Sequence, residues 1–213
     1  KGHRVTDEAT LEIVRDVLAN RINADICRRL EKLGGCPVAF ADPAKGALRA
    51  TRRLSRIALP EGGFEEVDLG FVGDMEDIDK ALFARAIEAR QVPVVASLGT
   101  GASGETLNVN ADMAAACVAA KLGAEKAVFL TDTPGIMTDP QDPTSFAETL
   151  SEHRIDDLVR RGVIDGGMLP KVEACRVALQ SGVRKTHIID GRMKHALLLE
   201  IFTDKGIGTQ IIH

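Results

Sequence analysis

Apolar positions along the chain follow two periods, one typical of amphipathic helices and the other of buried strands. The longer period appears first, at Leu11, Val14, Leu18, Ile22 and Ile26. Thr6 can cap this helix, Asp7 and Glu8 suit its first turn, and Leu30 is its last apolar position. The pattern therefore predicts a long helix that ends before Gly34.

Short apolar runs alternate with helical stretches over most of the remaining chain. Residues 48–72 predict an antiparallel hairpin. Helices are predicted at 77–89, 111–122, 155–161, 170–180 and 194–201, and strands at 36–40, 93–97, 127–131 and 186–189. This alternation indicates an α/β fold with a mostly parallel sheet and helices on both faces. Ligands of such sheets lie at the carboxyl ends of strands, here after Ser97, Thr131 and Ile189.

Composition and charge narrow the classes of function. Aromatic residues make up only 3% of the chain, and the net charge is −4, which disfavours nucleic-acid binding by stacking or by a basic surface. The four cysteines form no C-x-x-C pair, which disfavours a zinc site and suits a reducing, cytoplasmic location. No apolar run is long enough for a membrane span, and no signal peptide is visible.

A polar constellation stands at residues 107–112, where a predicted strand leads into an alanine-rich helix. A helix start presents unpaired N–H groups and a partial positive charge, which stabilise an anionic ligand. Asn108 and Asn110 add donors there, and Asp112 adds a carboxylate. The structural alternative is that Asn110 caps the helix and Asp112 complements its dipole. The glycine-rich residues 99–104 upstream and a second site of similar kind favour ligand binding.

The second site is residues 166–171, where two glycines precede a helix predicted to begin near Pro170. Lys171 in the first turn opposes the helix dipole, so helix stability does not explain it. A phosphate held between the ammonium group and the helix start would explain it, and an ordinary surface lysine is the alternative. The spacing is not a Walker A motif, and residues 99–104 are no dinucleotide fingerprint because no helix begins there. We expect Asp112 and Lys171 to converge on one cleft.

Motifs in a fixed order then resemble the amino-acid kinase family. They are residues 107–112, the turn Thr131-Asp132-x-Pro134-Gly135, and the segment at 167–174 that begins Gly-Met-x-x-Lys. Residues 3–8 are similar to the family's substrate-arginine segment, and residues 195–209 resemble its arginine-inhibited branch. The match covers nearly the whole chain and is loose only over residues 36–66.

The resemblance implies a three-layer αβα sandwich formed by one domain over residues 1–213. A lobe at about residues 1–98 would bind an acyl amino acid, and a lobe at about 99–213 would bind ATP. The implied reaction is phosphoryl transfer from ATP to the side-chain carboxylate of N-acetyl-L-glutamate, in arginine biosynthesis. The acceptor has a reference pKa of about 4.3, so it is ionised at pH 7 and needs no general base. Catalysis then consists of positioning and charge neutralisation, with Mg²⁺ held mainly through the ATP phosphates.

The resemblance also assigns residues to roles. The acyl amino acid would contact Arg4, Asn108 and Asn110. Asp112 would orient lysine ammonium groups, and Lys171 would act on the transferred phosphoryl group. The nucleotide would contact Thr131, Asp132, Thr133, Pro134, Gly135, Ile136, Met137, Val163, Ile164, Asp165 and Met168. An inhibitory L-arginine would contact His195, Glu200 and Gly206.

Members of the family begin with a strand and a glycine-rich loop carrying a second catalytic lysine, which the resemblance places before Lys1. We therefore expect this chain to lack the N-terminal part of such an enzyme and to form a homo-oligomer at full length. Without the second lysine, inactivity of the isolated chain is one outcome that the resemblance allows. Two alternatives stay open. One is a kinase for a related acyl amino acid such as acetylaminoadipate, and the other is a non-catalytic, arginine-binding regulatory fragment.

Overall fold

A computed structural model describes residues 5–58, 63–139, 141–142, 145–203 and 206–213. The chain divides into two compact units, one up to Ala114 and one from Ala115 onward. This division falls later than the expected lobe boundary near residue 98. The assignment of substrate and ATP to separate lobes stays a prediction.

The N-terminal helical segment of the first unit consists of α1 (Glu8–Arg15), a π-helical stretch (Asp16–Asn23) and α2 (Ala24–Lys32). Its cap is Asp7, whose carboxylate accepts the Thr10 N–H at 2.8 Å. The predicted Thr6 cap is wrong, because the Thr6 backbone pairs with the strand around Gly70 instead. Asp7 is the first residue free to cap, and hydrogen bonding to Thr10 lowers the pKa of its carboxyl group.

Two short strands of the first unit, β1 (Pro37–Phe40) and β4 (Val92–Val95), pair in parallel. Helix α3 (Lys80–Glu88) begins after the Asp79 cap and packs on β4. Its buried Phe83 meets Phe40 edge to face, with 4.9 Å between ring centroids. This aromatic contact stabilises the packing of α3 on the strands β1 and β4.

Four further strands form a small closed barrel in the order β2-β3-β6-β5. The predicted hairpin is observed as β2 (Leu48–Ala58) and β3 (Phe64–Ile78). Strand β3 extends six residues beyond the predicted end, so the helix predicted from residue 77 begins later. Strand β5 (Leu98–Thr100) pairs with β6 (Thr106–Val109), so the glycine-rich loop expected from residue 99 is shorter than predicted. Gly99 lies in β5, and the close approach of β2 requires a glycine there, because a Cβ atom would come 2.8 Å from the Ala50 Cβ.

Helix α4 (Ala111–Leu122) leads into the second unit, with the bounds predicted. That unit has a sheet of β7 (Lys126–Thr131), β8 (Thr149–Ser151), β9 (Lys185–Asp190) and β10 (Thr209–Ile212), in the order β7-β9-β10-β8. The helices of this unit are α5 (Glu152–Arg160), α6 (Met168–Gln180) and α7 (Ala196–Phe202). The pairs β7–β9 and β8–β10 are parallel, whereas β9 and β10 are antiparallel.

The core of the second unit is aliphatic, as the low aromatic content predicts. Its fully buried side chains include Ile155, Leu158, Leu179, Ile188 and Ile211. Parallel pairs joined through helices define an α/β protein, in agreement with the predicted class. Across the described residues, no helix combines the length and apolarity required to cross a bilayer.

Candidate functional site

The junction of β6 and α4 carries the first predicted constellation. Asn108 lies in β6, opposite Val72 of β3 and Leu98 of β5. The Asn110 side chain accepts the Met113 N–H at 3.0 Å, which is the contact of a helix cap. Asn108 and Asp112 are half-buried, whereas Asn110 is exposed. The structural alternative therefore describes Asn110, and its contact with a substrate stays a prediction.

The remaining predicted substrate residue, Arg4, lies outside the described residues. Asp112 belongs to the unit that ends at Ala114, and Lys171 belongs to the other unit. The convergence of these two side chains on one cleft stays a prediction.

The predicted nucleotide loop, residues 131–137, follows strand β7 in the second unit. The first half of this loop carries polar side chains: the Thr131 hydroxyl donates to Asp132 at 3.3 Å. The second half turns inward, and Ile136 is only 2% exposed. The Ile136 N–H donates to the Thr209 hydroxyl at 2.8 Å, and the Ile136 carbonyl accepts from Ala147 at 3.0 Å. The first half of the loop thus carries the polar side chains, and hydrogen bonds of Ile136 hold the second half in place.

The carboxyl end of β9 lies beside this loop. The Gly191 N–H donates to the Thr131 carbonyl at 2.8 Å, which joins the two strand ends. Arg192 makes bonds of 2.9 and 2.8 Å to the two carboxylate oxygens of Asp190. Hydrogen bonding to Arg192 lowers the pKa of Asp190 to about 2. The pair therefore stays ionised across the physiological pH range.

Helix α6 begins two residues earlier than predicted, at Met168, with Gly167 in the cap position. No side chain caps this end of the helix, and the Met168 N–H bonds to the Asp165 carbonyl. Pro170 lacks an N–H group, which is tolerated in a first turn. Lys171 follows it and is half-buried. Among the predicted nucleotide contacts just upstream, Ile164 is buried, Val163 is half-buried and Asp165 is exposed.

The start of α6 lies at the same edge of the sheet as the loop. The helix packs on β9 and β7, and a four-residue turn, 181–184, joins its end to the start of β9. A helix in such a crossover runs back along the sheet. Thirteen helical residues span about 20 Å, roughly the span of a six-residue strand. The first turn of α6, with Lys171, therefore reaches the edge where β7 and β9 end.

A cavity of about 380 Å³ opens elsewhere in the second unit. Its wall comes from strands β7, β9 and β10, from helix α7 and from the segments before β8 and β10. The lining includes Lys126, Glu148, Lys185, His187, Glu200, Gly206 and Gln210. The cavity holds both signs of charge, with two lysines and two glutamates. Glu200 and Gly206 lie there as predicted, although their contact with an arginine stays a prediction.

A buried carboxylate is the centre of the cavity. The Glu200 side chain is 2% exposed, and one of its oxygens lies 2.5 Å from the His187 Nδ1 and 3.8 Å from the Lys126 Nζ. The other oxygen accepts the Ile207 N–H at 3.0 Å. Burial of a carboxylate is costly unless partners of this kind satisfy its oxygens.

His187 faces the same cavity with one nitrogen unused. In the described part of the chain, its buried Nε2 atom has no hydrogen-bond partner. Burial lowers the pKa of His187, as do the nearby Lys126 and Lys185, whereas Glu200 raises it. The neutral ring donates through Nδ1 to Glu200, which leaves the buried Nε2 as an acceptor. A cationic donor would satisfy that acceptor.

His195, a predicted contact of the arginine, is exposed, does not line the cavity and precedes α7 with a φ of 62°. Its contact with an arginine stays a prediction. Sequence reasoning did not predict the cavity residues Lys126 and His187. The available signal for His187 was an imidazole within a predicted strand. Within the described ranges, no group of three or more His, Cys, Asp or Glu side chains could hold a metal ion.

In α/β proteins, strand ends with a helix start beside them are a common place for phosphate groups to bind. That this edge binds a nucleotide stays a prediction. The sequence profile of the amino acid kinase family matches residues 1–190, and the chain belongs to that family.

Individual relatives share much of their length with this chain. It is similar to the acetylglutamate kinase of Pelotomaculum thermopropionicum, at 46% identity over 99% of this chain and 71% of that protein. The acetylglutamate kinase of Methanobrevibacter smithii is 42% identical over 99% of this chain and 73% of its own length. These matches confirm the resemblance predicted from the motifs.

Solved structures agree on the fold. The N-acetylglutamate synthase of Neisseria gonorrhoeae, complexed with coenzyme A and N-acetyl-glutamate, superposes with a TM-score of 0.82 at 29% identity. The match covers 100% of this chain and 46% of that one. A Streptococcus mutans protein gives a TM-score of 0.77 at 26% identity, over 99% of this chain and 75% of its own. The predicted amino-acid kinase fold, α/β with parallel strands and helices on both sides, is confirmed.

Proposed function

We propose that this chain belongs to a cytoplasmic kinase that transfers the γ-phosphoryl group of ATP to the side-chain carboxylate of N-acetyl-L-glutamate. The proposal rests on the parallel pair β7–β9, on the loop 131–137 that follows β7, and on the packing of α6 against both strands, from which we infer that its first turn reaches the same edge. Relatives that match 99% of the chain and bear the name acetylglutamate kinase support this choice of acceptor.

The chemistry divides among the residues as follows. The start of α6 and Lys171 would neutralise charge on the phosphates, and the polar side of the loop 131–137 would contact the nucleoside. Asn108 and Asp112 would serve the acceptor side, the first as a donor and the second by orienting ammonium groups. Mg²⁺ would enter as its ATP complex and lower the charge on the phosphates, since it keeps several waters and needs few protein ligands.

We further propose that the cavity around Glu200 binds L-arginine as a feedback inhibitor. A guanidinium group carries one charge and several donors, which suit the Glu200 carboxylate in the cavity wall. The carboxylate of the same amino acid would find Lys126 or Lys185. The cavity thus offers complementary partners to both charged ends of one arginine molecule.

Coupled release of ADP is the test of the catalytic proposal. N-acetyl-L-glutamate is expected to support turnover with Mg²⁺ and ATP, whereas acetylaminoadipate is expected to be a poor acceptor. Faster turnover with acetylaminoadipate would reassign the acceptor. Calorimetry separates the regulatory alternative: heat from arginine without heat from an ATP analogue would indicate a non-catalytic binding module.

A further inference from the structure

A single buried hydroxyl holds the loop 131–137 against the last strand. Thr209, the first residue of β10, has no exposed surface, and its Oγ1 accepts the Ile136 N–H at 2.8 Å. A buried amide that lost this acceptor would stay unsatisfied or force the loop to move. The conformation of the loop therefore depends on where Thr209 sits.

Close packing around Gly135 leaves the loop little room to adjust if Thr209 moves. Gly135 has a φ of 147°, and a Cβ atom there would lie 2.6 Å from both the Thr209 Oγ1 and the Phe146 ring. The backbone of the loop thus lies directly on the threonine side chain. A displacement of Thr209 toward the loop would meet backbone rather than empty space.

The segment that enters β10 also forms a wall of the Glu200 cavity. Gly206 and Gly208 line the cavity, and between them the Ile207 N–H donates to the Glu200 Oε2 at 3.0 Å. A Cβ atom on Gly208 would come 2.3 Å from the Ile188 carbonyl, so this short segment is pressed against β9. Thr209 is the next residue. One stretch of four residues therefore contacts both the cavity and the loop.

We propose that Thr209 is a positioning residue that couples the cavity to the loop 131–137, so that a cation bound at Glu200 changes nucleotide affinity. A guanidinium that engages Glu200 competes with the Ile207 N–H for the same carboxylate. The resulting shift of residues 206–208 moves Thr209 and, through its hydroxyl, the Ile136 amide. This inference rests on the proposed function only in naming arginine and nucleotide as the two ligands.

Two substitutions at Thr209 isolate the hydroxyl, and Thr186 supplies a matched control. Thr209→Val keeps the shape and removes the acceptor, whereas Thr209→Ser keeps the acceptor. Thr186 in β9 is equally buried, and among the described residues its hydroxyl has no hydrogen-bond partner. Thr186→Val therefore removes a buried hydroxyl of the same sheet without breaking a hydrogen bond.

Amide hydrogen exchange and calorimetry on the whole chain make the test. In the absence of ligand, Thr209→Val is expected to speed exchange of the Ile136 amide about fivefold or more, through loss of one hydrogen bond. In the parent chain, L-arginine is expected to change that exchange rate and to shift the affinity for an ATP analogue by about fivefold or more. Both arginine effects should vanish in Thr209→Val and persist in Thr209→Ser and Thr186→Val.

The outcomes separate this inference from the proposed function. Arginine heat with no change at the Ile136 amide of the parent chain would overturn the coupling while leaving the arginine site intact. Full arginine effects in Thr209→Val would also overturn it. If L-arginine gives no heat of binding at all, both the regulatory site and the coupling are overturned. If L-arginine binds and alters Ile136 exchange but the ATP analogue does not bind, the nucleotide proposal and the predicted affinity shift are both overturned.

Discussion

The β6–α4 junction and the Glu200 cavity are two polar regions built in opposite ways. The junction takes Asn108, Asn110 and Asp112 from one short stretch of chain, and they lie at or near the surface. The cavity gathers Lys126, His187 and Glu200 from distant parts of the sequence and buries a carboxylate among them. Water can replace a side chain that is removed from the junction. Removal of a partner from the cavity instead leaves a buried charge unpaired.

The difference predicts where substitutions act. At the β6–α4 junction, substitutions should affect stability and ligand binding independently of each other. In a buried cluster, a substitution should change ligand binding, protonation and stability together, because each side chain also serves as the hydrogen-bond or ion-pair partner of another. The predictions below use these contrasts.

The largest effect is expected at Lys171. In the full-length enzyme, replacement of Lys171 by Ala should lower kcat by about 10²-fold or more, because a donor to the transferred phosphoryl group is lost. The measurement is steady-state ADP release at saturating substrates. Lys32→Ala, which removes an exposed lysine from the last turn of α2, is the control and should change kcat little. A near-normal kcat in Lys171→Ala would remove this residue from the mechanism.

Neutralising Glu200 should have the next largest effect, on arginine binding. Glu200→Gln removes the buried charge that a guanidinium would meet, and affinity is expected to fall about tenfold or more, the loss of a charge-assisted hydrogen bond. Glu148→Gln removes an exposed carboxylate from the same cavity and should cost at most about fivefold. Calorimetric titration with L-arginine compares the two. Equal losses would show that burial does not set the affinity.

A smaller effect is expected at Asn110. Asn110→Ala should cost about 1 kcal/mol of unfolding free energy through loss of the helix cap, and Asn110→Asp should keep that stability. If Asn110 also contacts the substrate, the aspartate should repel its carboxylate and raise the KM for N-acetyl-L-glutamate. Urea unfolding and initial rates give both quantities. An unchanged KM in Asn110→Asp would leave the residue with its structural role alone.

The smallest effect is a pH dependence of stability at His187. Because burial lowers the pKa of the folded imidazole, the unfolded chain binds the proton more tightly. The contribution is complete above the unfolded pKa of about 6.5 and is lost as the pH falls toward the folded value. His187→Asn, which retains a donor to Glu200, should flatten this part of the profile. His153→Asn makes the same change at an exposed position and is the matched control. Urea unfolding at several pH values between 5 and 8 makes the comparison, and a steep profile in His187→Asn would contradict it.

The same contrast explains which features could be predicted from sequence. Helix α4 and the residues around its start were predictable, since the period, the Asn cap and the chemistry all occur within one segment. Strands β8 and β10 have three and four residues, too few to show a period. The long N-terminal helix was predicted in extent, but the competition between Thr6 and Asp7 for the cap was decided by pairing with Gly70.

The cavity was only partly predictable for a different reason. Glu200 and Gly206 came from a family resemblance of one segment, which offered His195 as the neighbouring imidazole. Strand pairing brings Lys126 of β7 next to Lys185 of β9, and it places His187 opposite Gln210 of β10. Such proximity depends on the register between strands that are separated in the chain, which no local pattern contains.

The most direct test of the central claim is amide hydrogen exchange of the chain with Mg²⁺ and a non-hydrolysable ATP analogue. If the edge formed by β7, β9 and α6 holds the nucleotide, residues 131–137 and the first turn of α6 should exchange more slowly when the analogue is bound. Binding of the analogue with no protection in either segment would contradict the account.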